Sequence, residues 1–365
     1  MKRAAAPIER IAASAYTIPT DAPESDGTLA WRSTTMVLVE AHAGGTTGIG
    51  YSYANRATAV LVGDTLAQSV EGRDALDVAG SFDAMAAAVR NLGRPGISSM
   101  AIAAVDNALW DLKARLLDVP LVRLLGAVRD SIPIYGSGGF TSYSAERLAE
   151  QLGGWANAGM RMVKMKVGRE PAADVARVRT AREAIGPQTA LFVDANGAYG
   201  RKQALGFAEA FAGLGVTWFE EPVPSDDLEG LRLIRDRAPA WMDVAAGEYG
   251  YDIVYFRRMC EAGAVDVLQA DATRCAGVTG FMRAAAVAQA FHVPLSSHCA
   301  PSIHAHACCA ALPARHLEYF HDHVRIERML FDGALEPANG VLHPAADRPG
   351  FGLAFKAADA RAYAT

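Results

Sequence analysis

Regular alternation of short β-like runs with helical stretches after Gly126 is the feature that most constrains the fold of this chain. Helical stretches fill the gaps between eight such runs, which are Ile132–Tyr135, Met160–Val167, Ala190–Asp194, Val216–Glu220, Asp243–Glu248, Val265–Asp271, Val293–His298 and His316–Phe320. Strands joined by helices form parallel sheets, and eight such units are enough to close a sheet into a barrel. We therefore predict an α/β barrel over residues 126–324.

The segments on either side of this barrel predict further structure. The N-terminal part, residues 1–125, starts with the β-rich runs Thr34–Glu40 and Thr47–Tyr53 and continues with helical stretches rich in Ala and Leu. We expect an α+β domain, in which the polar segment Pro19–Gly27 is a mobile loop. Residues 325–365 contain no ninth β–α unit, so we expect this tail to pack on the N-terminal domain.

Composition and charge exclude several classes of function. The net charge of −5 leaves no basic surface for nucleic acid or for a membrane. The sequence has no run of about 18 apolar residues, and its first residues lack the apolar region of a signal peptide. The five cysteines form no Cys-x-x-Cys pair, which favours a reducing cytoplasm over a disulfide framework.

Three acidic residues, Asp194, Glu220 and Glu248, end three consecutive predicted strands. Catalytic groups of such barrels collect at the carboxyl ends of the strands. Because neighbouring strands lie roughly 4.8 Å apart, like charges crowd there unless a cation neutralises them. A single carboxylate at such a position is commonly a helix cap, but three in consecutive units favour a site for Mg²⁺, which prefers oxygen ligands.

Two lysines, Lys164 and Lys166, lie on the preceding strand. The period of two along a strand places both on one face and the apolar Val163 and Met165 on the other. The apolar face suits the surrounding helices, so we expect the lysines to face the barrel interior. Two adjacent ammonium groups lower each other's pKa, which makes a lysine usable as a base near neutral pH.

Asp271 and His298 lie at the ends of the sixth and seventh predicted strands, which are neighbours. An Asp–His hydrogen bond between them would orient the ring and raise its basicity. Glu318 lies near the end of the eighth strand and can bond to a developing enolate or to the substrate. A carboxylic acid bound at the metal would present its α-carbon between Lys166 and His298, two candidate acid/base groups.

These motifs together resemble the enolase superfamily, and within it the mandelate racemase subgroup (mandelate racemase/muconate lactonizing enzyme family). The motifs that carry the resemblance are Lys164-Met-Lys166, Asp194-Ala-Asn-Gly, Trp218-Phe-Glu-Glu-Pro222, Gly247-Glu248, Asp271 with Gly277-Val-Thr-Gly280, and Ser297-His298. The resemblance covers nearly the whole chain. It implies a modified TIM barrel, (β/α)7β, with an α+β N-terminal capping domain.

The resemblance also implies a role for each candidate residue. It implies one Mg²⁺ per subunit on the three strand-end carboxylates. Lys166 matches the base on one face of the substrate, and the Asp271–His298 pair matches the base or acid on the other. Lys164 matches the position that contacts the substrate carboxylate and tunes Lys166. Glu318 matches the group that hydrogen-bonds the enolate oxygen.

Substrate choice is expected to rest with capping-domain loops around residues 17–30 and 46–58. The polar segment Asp21–Thr28 favours hydroxyl groups on the substrate, whereas nearby aromatic side chains such as Trp31 leave an aromatic substrate open. The candidate substrate-binding residues are Asn196, Arg274, Glu24, Tyr53 and His321, of which Arg274 falls where the subgroup usually has a cation behind the metal ligands.

Three functional hypotheses remain open from the sequence. The first is abstraction of the α-proton to a metal-stabilised enediolate, followed by dehydration of a sugar acid (aldonate or aldarate) to a 2-keto-3-deoxy acid. The second is a racemase or epimerase of a 2-hydroxy acid, which would use the same residues. The third is a non-catalytic, acid-binding relative. We expect a small-molecule carboxylate as partner, a cytoplasmic location, and a homo-oligomer, since members of the family commonly assemble symmetrically.

Overall fold

The capping domain begins with an antiparallel sheet. The computed structural model describes residues 6–365, so the first five residues of the predicted capping domain lie outside the described residues. Strands β1 (Arg10–Ser25), β2 (Ala30–Ala43) and β3 (Thr46–Tyr53) pair in that order. This sheet agrees with the β-rich runs expected there.

The segment Pro19–Gly27 is mostly strand, so its prediction as a mobile loop was wrong. Strand β1 continues to Ser25 and pairs with β2 on both sides of a register shift between Pro19 and Glu24. A proline is tolerated here because β1 is an edge strand, and the register shift releases part of the hydrogen-bond ladder. The far end of this hairpin contacts the barrel, where Thr141 N donates to Ser25 O at 2.8 Å.

Helices pack against this sheet and join it to the barrel. They are α1 (Ala57–Leu61), a π-helical turn at Val62–Leu66, α2 (Ala67–Val70), α3 (Val78–Ala88), α4 (Ile97–Leu116) and α5 (Leu121–Leu125). Helix α4 lies directly on β3. The two elements are so close that a Cβ at Gly48 would lie 2.3 Å from Leu112 N, and one at Gly50 would lie 2.2 Å from Ala108 N. Glycine at these two positions permits the close approach.

Eight parallel strands form the barrel. They are β4 (Ile132–Gly138), β5 (Met162–Lys166), β6 (Ala190–Asp194), β7 (Val216–Glu220), β8 (Asp243–Ala246), β9 (Val267–Ala270), β10 (Leu295–Ser297) and β11 (Ala314–Phe320). Each strand pairs with the next, and β11 pairs with β4 to close the ring. The predicted modified TIM barrel with its capping domain is confirmed, and β6 and β7 have the predicted limits.

Helices connect these strands and surround them. They are α6 (Ala145–Asn157), α7 (Pro171–Ile185), α8 (Arg201–Ala212), α9 (Leu228–Arg237), α10 (Ile253–Glu261), α11 (Gly277–Ala290), α12 (Pro301–Ala310) and, after the last barrel strand, α13 (His321–Leu330). None of the helices among residues 6–365 is both long and apolar enough to cross a membrane.

The tail contacts both parts of the molecule. It contains β12 (Phe331–Asp332), β13 (Val341–Leu342), β14 (Ala354–Phe355), α14 (Ala357–Ala360) and a 3₁₀ turn at Arg361–Tyr363. Strand β13 adds an antiparallel strand to β4 of the barrel, and Thr365 N donates to Ala15 O of the capping sheet at 3.1 Å. We propose the divisions 1–125, 126–324 and 325–365 as capping domain, barrel and tail.

Buried polar residues of α4 fasten the capping domain to the barrel. Asn107 Nδ2 donates to Tyr51 O of the capping sheet at 3.3 Å and to Ala272 O of the barrel at 3.1 Å. Its Oδ1 accepts from Val278 N in the first turn of α11 at 3.0 Å. One side chain therefore joins both domains through backbone groups, and it leaves none of its amide atoms without a partner.

Candidate active site

The three strand-end carboxylates lie side by side at one end of the barrel. The parallel register aligns Lys166 with Asp194 and Asp194 with Glu220, while Glu248 lies two residues beyond β8. All three carboxylates are buried. Burial, together with the charge of Asp194, raises the pKa of Glu220 to about 8. The crowding of like charge expected from strand spacing is present here.

Both lysines face the barrel interior and pair with carboxylates. Lys166 Nζ lies 2.5 Å from Asp194 Oδ2, and Lys164 Nζ lies 2.6 Å from Glu220 Oε1 and 2.8 Å from Glu318 Oε1. Burial alone would lower the pKa of each lysine, but these carboxylates raise both pKa values above the ordinary range. The predicted lowering was therefore wrong for this arrangement, because the carboxylates outweigh the neighbouring ammonium group.

The donor set of the three carboxylates fits a divalent cation such as Mg²⁺. They offer only oxygen atoms, as Mg²⁺ prefers, and a further buried carboxyl, Glu221, has an Oε1 atom without a hydrogen-bond partner. The oxygens of Asp194, Glu220 and Glu248 do not all lie within 4.8 Å of one another. Each of them is instead paired with a lysine or histidine of the site.

His298 and Asp271 form the predicted hydrogen-bonded arrangement. His298 Nδ1 lies 2.8 Å from Asp271 Oδ2, and Asp271 Oδ1 accepts from Thr273 N at 2.6 Å. His298 Nε2 lies 2.9 Å from Glu248 Oε2. Burial alone would lower the pKa of His298, but Glu248 and the hydrogen bond to Asp271 raise it well above its ordinary value. Asp271 therefore holds the ring at Nδ1, while Nε2 is paired with Glu248 in this structure.

Glu318 is held as an acceptor. It accepts from Ser137 Oγ at 2.6 Å and from Cys299 N at 2.8 Å, in addition to its contact with Lys164. Burial alone would raise the pKa of Glu318, but Lys164 and His298 hold it below the usual range. The predicted hydrogen bond between Glu318 and an enolate oxygen stays a prediction.

A cavity of about 410 Å³ lies above these groups, between the barrel and the capping domain. Of the predicted site residues, Lys166, Glu248, Asp271 and His298 line it, together with the predicted substrate-binding residues Asn196, Arg274 and Tyr53. Lys164, Asp194, Glu220 and Glu318 are buried around it. Arg274 Nη1 lies 3.5 Å from Glu248 Oε1 and therefore backs the carboxylate set as expected.

Two predicted substrate-binding residues, Glu24 and His321, do not line this cavity. The capping hairpin places residues on alternate faces, and after the register shift Glu24 turns to Trp31 Nε1, which donates to its Oε2 at 2.8 Å. His321 Nε2 lies 3.1 Å from Asp21 Oδ2 on the outer rim. Neither residue lines the cavity in this structure, and their part in substrate binding stays a prediction.

Several lining residues were not assigned from the sequence. They include Ser33, Thr34, Thr35, Tyr249, Cys299 and His323, whereas Asp26 and Asn55 lie in the two segments that were expected to choose the substrate. Tyr249 and Cys299 directly follow the predicted site residues Glu248 and His298, so position in the sequence was a signal for both. The β2 residues had no such signal, because their approach to the barrel depends on how the hairpin is docked.

Family models match nearly all of the chain. A model described as the mandelate racemase/muconate lactonizing enzyme N-terminal domain matches residues 16–126, and one described as enolase C-terminal domain-like matches residues 146–360. The chain belongs to the mandelate racemase/muconate lactonizing enzyme family. Its assignment to the enolase superfamily, made from the motifs, is confirmed.

Relatives of this family member include both named enzymes and solved structures. The 3,6-anhydro-alpha-L-galactonate cycloisomerase of Streptomyces coelicolor is 31% identical, over 95% of this chain and 96% of its own. A mandelate racemase/muconate lactonizing enzyme-like protein from Rubrobacter xylanophilus is 56% identical, with a TM-score of 0.96, over 98% of this chain and 99% of its own. The L-talarate/galactarate dehydratase of Salmonella typhimurium, liganded with Mg and L-lyxarohydroxamate, is 27% identical, with a TM-score of 0.90, over 100% and 95%.

Proposed function

We propose that this family member is a Mg²⁺-dependent dehydratase that converts a polyhydroxy carboxylic acid into a 2-keto-3-deoxy acid. The observation that carries the proposal is that Lys166 and the hydrogen-bonded Asp271–His298 pair line the same cavity. A base and an acid can therefore reach one substrate. The names of the relatives, a dehydratase and a cycloisomerase of sugar acids, support this class of substrate.

In this proposal Asp194, Glu220 and Glu248 hold the Mg²⁺. When bound, Mg²⁺ would neutralise the substrate carboxylate and the negative charge that develops as the α-proton leaves. The structure of the Salmonella dehydratase with Mg supports the cofactor. Arg274 contributes a fixed positive charge behind Glu248, and it keeps that carboxylate in place.

Proton removal is assigned to Lys166. The Cα–H bond breaks, the proton passes to Nζ of Lys166, and the electron pair enters the enediolate of the substrate. This step requires the amine form of Lys166. The Asp194 carboxylate raises the pKa of Lys166. If Mg²⁺ were bound to Asp194, it would offset that negative charge, and the amine form of Lys166 would be favoured.

Loss of water is assigned to His298. As the C–O bond to the β-hydroxyl breaks, His298 Nε2 donates the proton that converts the leaving hydroxide into water. Asp271 holds Nδ1 and stabilises the imidazolium from which this proton comes. The enol that remains takes up a proton at C3 and loses its hydroxyl proton, so that the product differs from the substrate by one water.

The capping-domain wall of the cavity favours a polyhydroxy substrate. Ser33, Thr34, Thr35 and Asn55 line it from β2 and the end of β3, and each carries a hydrogen-bonding group. Thr34 and Thr35 already bond to Asp322 and Thr17. Hydroxyl groups of a sugar acid could add hydrogen bonds to the remaining lone pairs and N–H groups of this wall, which an aromatic ring could not use. Trp31, on the same wall, supplies an apolar face for the carbon chain.

The test is a screen of aldonic and aldaric acids with the Mg²⁺-saturated protein, in which 2-keto products are detected with semicarbazide. The reaction is run in D₂O, and the substrate that remains is analysed for deuterium at Cα. We expect a 2-keto product from at least one acid. No product and no exchange across the library would overturn the proposal.

A racemase or epimerase is the second candidate, and one observation favours it. Lys166 on β5 and His298 after β10 flank the carboxylate strands β6 to β8 from opposite sides of the ring. Two acid/base groups on opposite faces are what a 1,1-proton transfer needs. Deuterium incorporation at Cα with inversion and without a 2-keto product would identify this reaction.

The cellular setting remains a proposal as well. We propose a cytoplasmic protein that assembles as a homo-oligomer and acts on a small carboxylate, without a nucleic-acid or membrane partner. Light scattering coupled to size-exclusion chromatography measures the mass of the assembly, and cell fractionation tests the location.

A further inference from the structure

Glu24 and His321, which do not line the catalytic cavity, lie close together at a second position on the protein. Asp21 and Glu24 of β1 converge with His321, the first residue of α13, at the outer edge where the capping hairpin lies on the barrel rim. One ligand atom from each lies within 4.8 Å of the other two. His321 Nε2 and Asp21 Oδ2 are 3.1 Å apart. Two carboxylates and an imidazole from two domains therefore share one small volume.

An independent observation concerns Glu24, which is 1% exposed. Its Oε2 accepts from Trp31 Nε1, but its Oε1 is buried without any hydrogen-bond partner. An unpartnered buried carboxylate oxygen costs free energy, and burial raises the pKa of Glu24 to about 8, with Asp322 adding to the effect. A cation bound at Oε1 would supply the missing partner.

The charged groups around Asp21, Glu24 and His321 favour the binding of a cation. The acidic groups are Asp21, Glu24 and Asp322, and the fixed cations are Arg147 and Arg325. Arg325 is already committed, because Nη2 donates to Asp322 Oδ1 at 2.7 Å and to Pro19 O at 2.6 Å. Arg147 Nη2 is 3.5 Å from Asp21 Oδ2, a long contact. With His321 neutral and Glu24 ionised, as it would be with a cation bound, these five groups sum to a net charge of −1.

We propose that Asp21, Glu24 and His321 bind a divalent cation of intermediate softness, with Zn²⁺ as the representative ion. A mixed set of one imidazole nitrogen and two carboxylate oxygens suits this class better than Mg²⁺, which prefers oxygen alone. Three protein ligands leave a position open for water. None of the three residues lines the catalytic cavity, so the site is distinct from the one assigned to Mg²⁺.

A cation at this site would restrict the position of the hairpin formed by β1 and β2. Asp26, Leu29 and Trp31 of this hairpin line the catalytic cavity. A cation bound between β1 and α13 ties the hairpin to the barrel rim and so fixes one wall of the cavity. Asp21 and His321 are partly exposed, which leaves a path for the ion from solvent.

The test measures Zn²⁺ uptake by the full chain in excess Mg²⁺, by equilibrium dialysis and elemental analysis. We expect the wild-type protein to bind one equivalent more than His321→Ala, and Glu24→Gln to lose the same equivalent. His343→Ala, which removes an exposed histidine, is the matched control and keeps it. Subtraction of the His321→Ala value removes any Zn²⁺ bound at the catalytic residues.

Thermal unfolding supplies a second readout. Zn²⁺ should raise the Tm of the wild-type protein and of His343→Ala by more than it raises the Tm of His321→Ala. Equal Zn²⁺ uptake by the wild-type protein and His321→Ala overturns the proposal, whatever the sugar-acid screen shows. Folding of each variant is checked by circular dichroism in EDTA, so that a loss of binding is not confused with unfolding.

Discussion

Asp271 uses both carboxylate oxygens to fix His298: Oδ2 lies 2.8 Å from the ring Nδ1, while Oδ1 accepts from the backbone N–H of Thr273 at 2.6 Å and from its hydroxyl at 2.8 Å. The carboxylate cannot rotate without losing these bonds. The imidazole is therefore held in one orientation, with Nδ1 toward Asp271 and Nε2 toward Glu248.

Asp271→Asn should lower kcat about 10³- to 10⁴-fold and change KM little, because the amide can no longer stabilise an imidazolium. Steady-state kinetics on an acid identified by the screen measures both constants. Asp236→Asn, an exposed carboxylate on α9, is the control and should keep full activity. A large rise in KM with kcat unchanged would show that Asp271 only shapes the binding site.

Lys166→Ala and His298→Asn should separate the two proton transfers. Without Lys166, we expect neither product nor deuterium at Cα. Without His298, the α-proton should still exchange with solvent, while loss of water falls at least about 10²-fold. Proton NMR in D₂O follows both processes. If His298→Asn blocks exchange and Lys166→Ala does not, the roles of the two residues are the reverse. Lys202→Ala, an exposed lysine, is the control.

Removal of Mg²⁺ should abolish activity without unfolding the protein. Lys164 and Lys166 pair with the carboxylates in the present structure, so the buried charges remain compensated without the ion. We expect activity to vanish after dialysis against EDTA and to return with Mg²⁺, with the folded circular dichroism spectrum retained throughout. Cooperative unfolding in EDTA would contradict this account.

Lys164→Met should destabilise the protein by about 3–5 kcal/mol in EDTA, because it leaves Glu220 and Glu318 buried without their counter-charge. The loss should be smaller with Mg²⁺ present, and chemical denaturation under both conditions measures it. Lys202→Met is the matched control at an exposed position. A cost that is the same with and without Mg²⁺ would count against a shared role of lysine and metal.

Glu327 predicts a pH-dependent stability that is independent of the metal ligands. Burial raises its pKa to about 7, although hydrogen bonds from Ser302 and Tyr51 oppose the shift. A group with a raised pKa in the folded state contributes stability below its unfolded pKa of about 4.5, and this contribution is lost as the pH rises toward 7. The free energy of unfolding of the wild-type protein should therefore fall relative to Glu327→Gln, by up to about 3 kcal/mol.

Denaturant unfolding between pH 4.5 and 8 checks this prediction. The informative quantity is the difference between the two proteins at each pH, since other groups titrate in both. Glu229→Gln, at an exposed glutamate of α9, should show no such change. A constant difference between the wild-type protein and Glu327→Gln would mean that Glu327 does not titrate in this range.

Strand alternation and strand parity predicted the barrel and the placement of its central residues. Apolar runs that end in acidic residues marked the ends of β6 and β7, and the period of two placed Lys164 and Lys166 inside. The pKa direction of the lysines could not be predicted, because it depends on how closely the carboxylates approach in three dimensions. Glu24 lies off the cavity because a register shift in β1 decides which face its side chains take, and His321 lies at the rim because α13 begins there.

Because α4 is attached to both domains, the substrate specificity of the protein can change without a change in how its domains are joined. Asn107 secures the capping sheet to the barrel through Tyr51 of β3, Ala272 and Val278, none of which belongs to the hairpin that lines the cavity. Residues 19–33 can therefore be grafted from one relative to another while this joint stays intact. The hairpin can be exchanged, whereas the joint at Asn107 must be kept. A chimera that carries the hairpin of a relative should therefore fold and differ mainly in the acid that it selects.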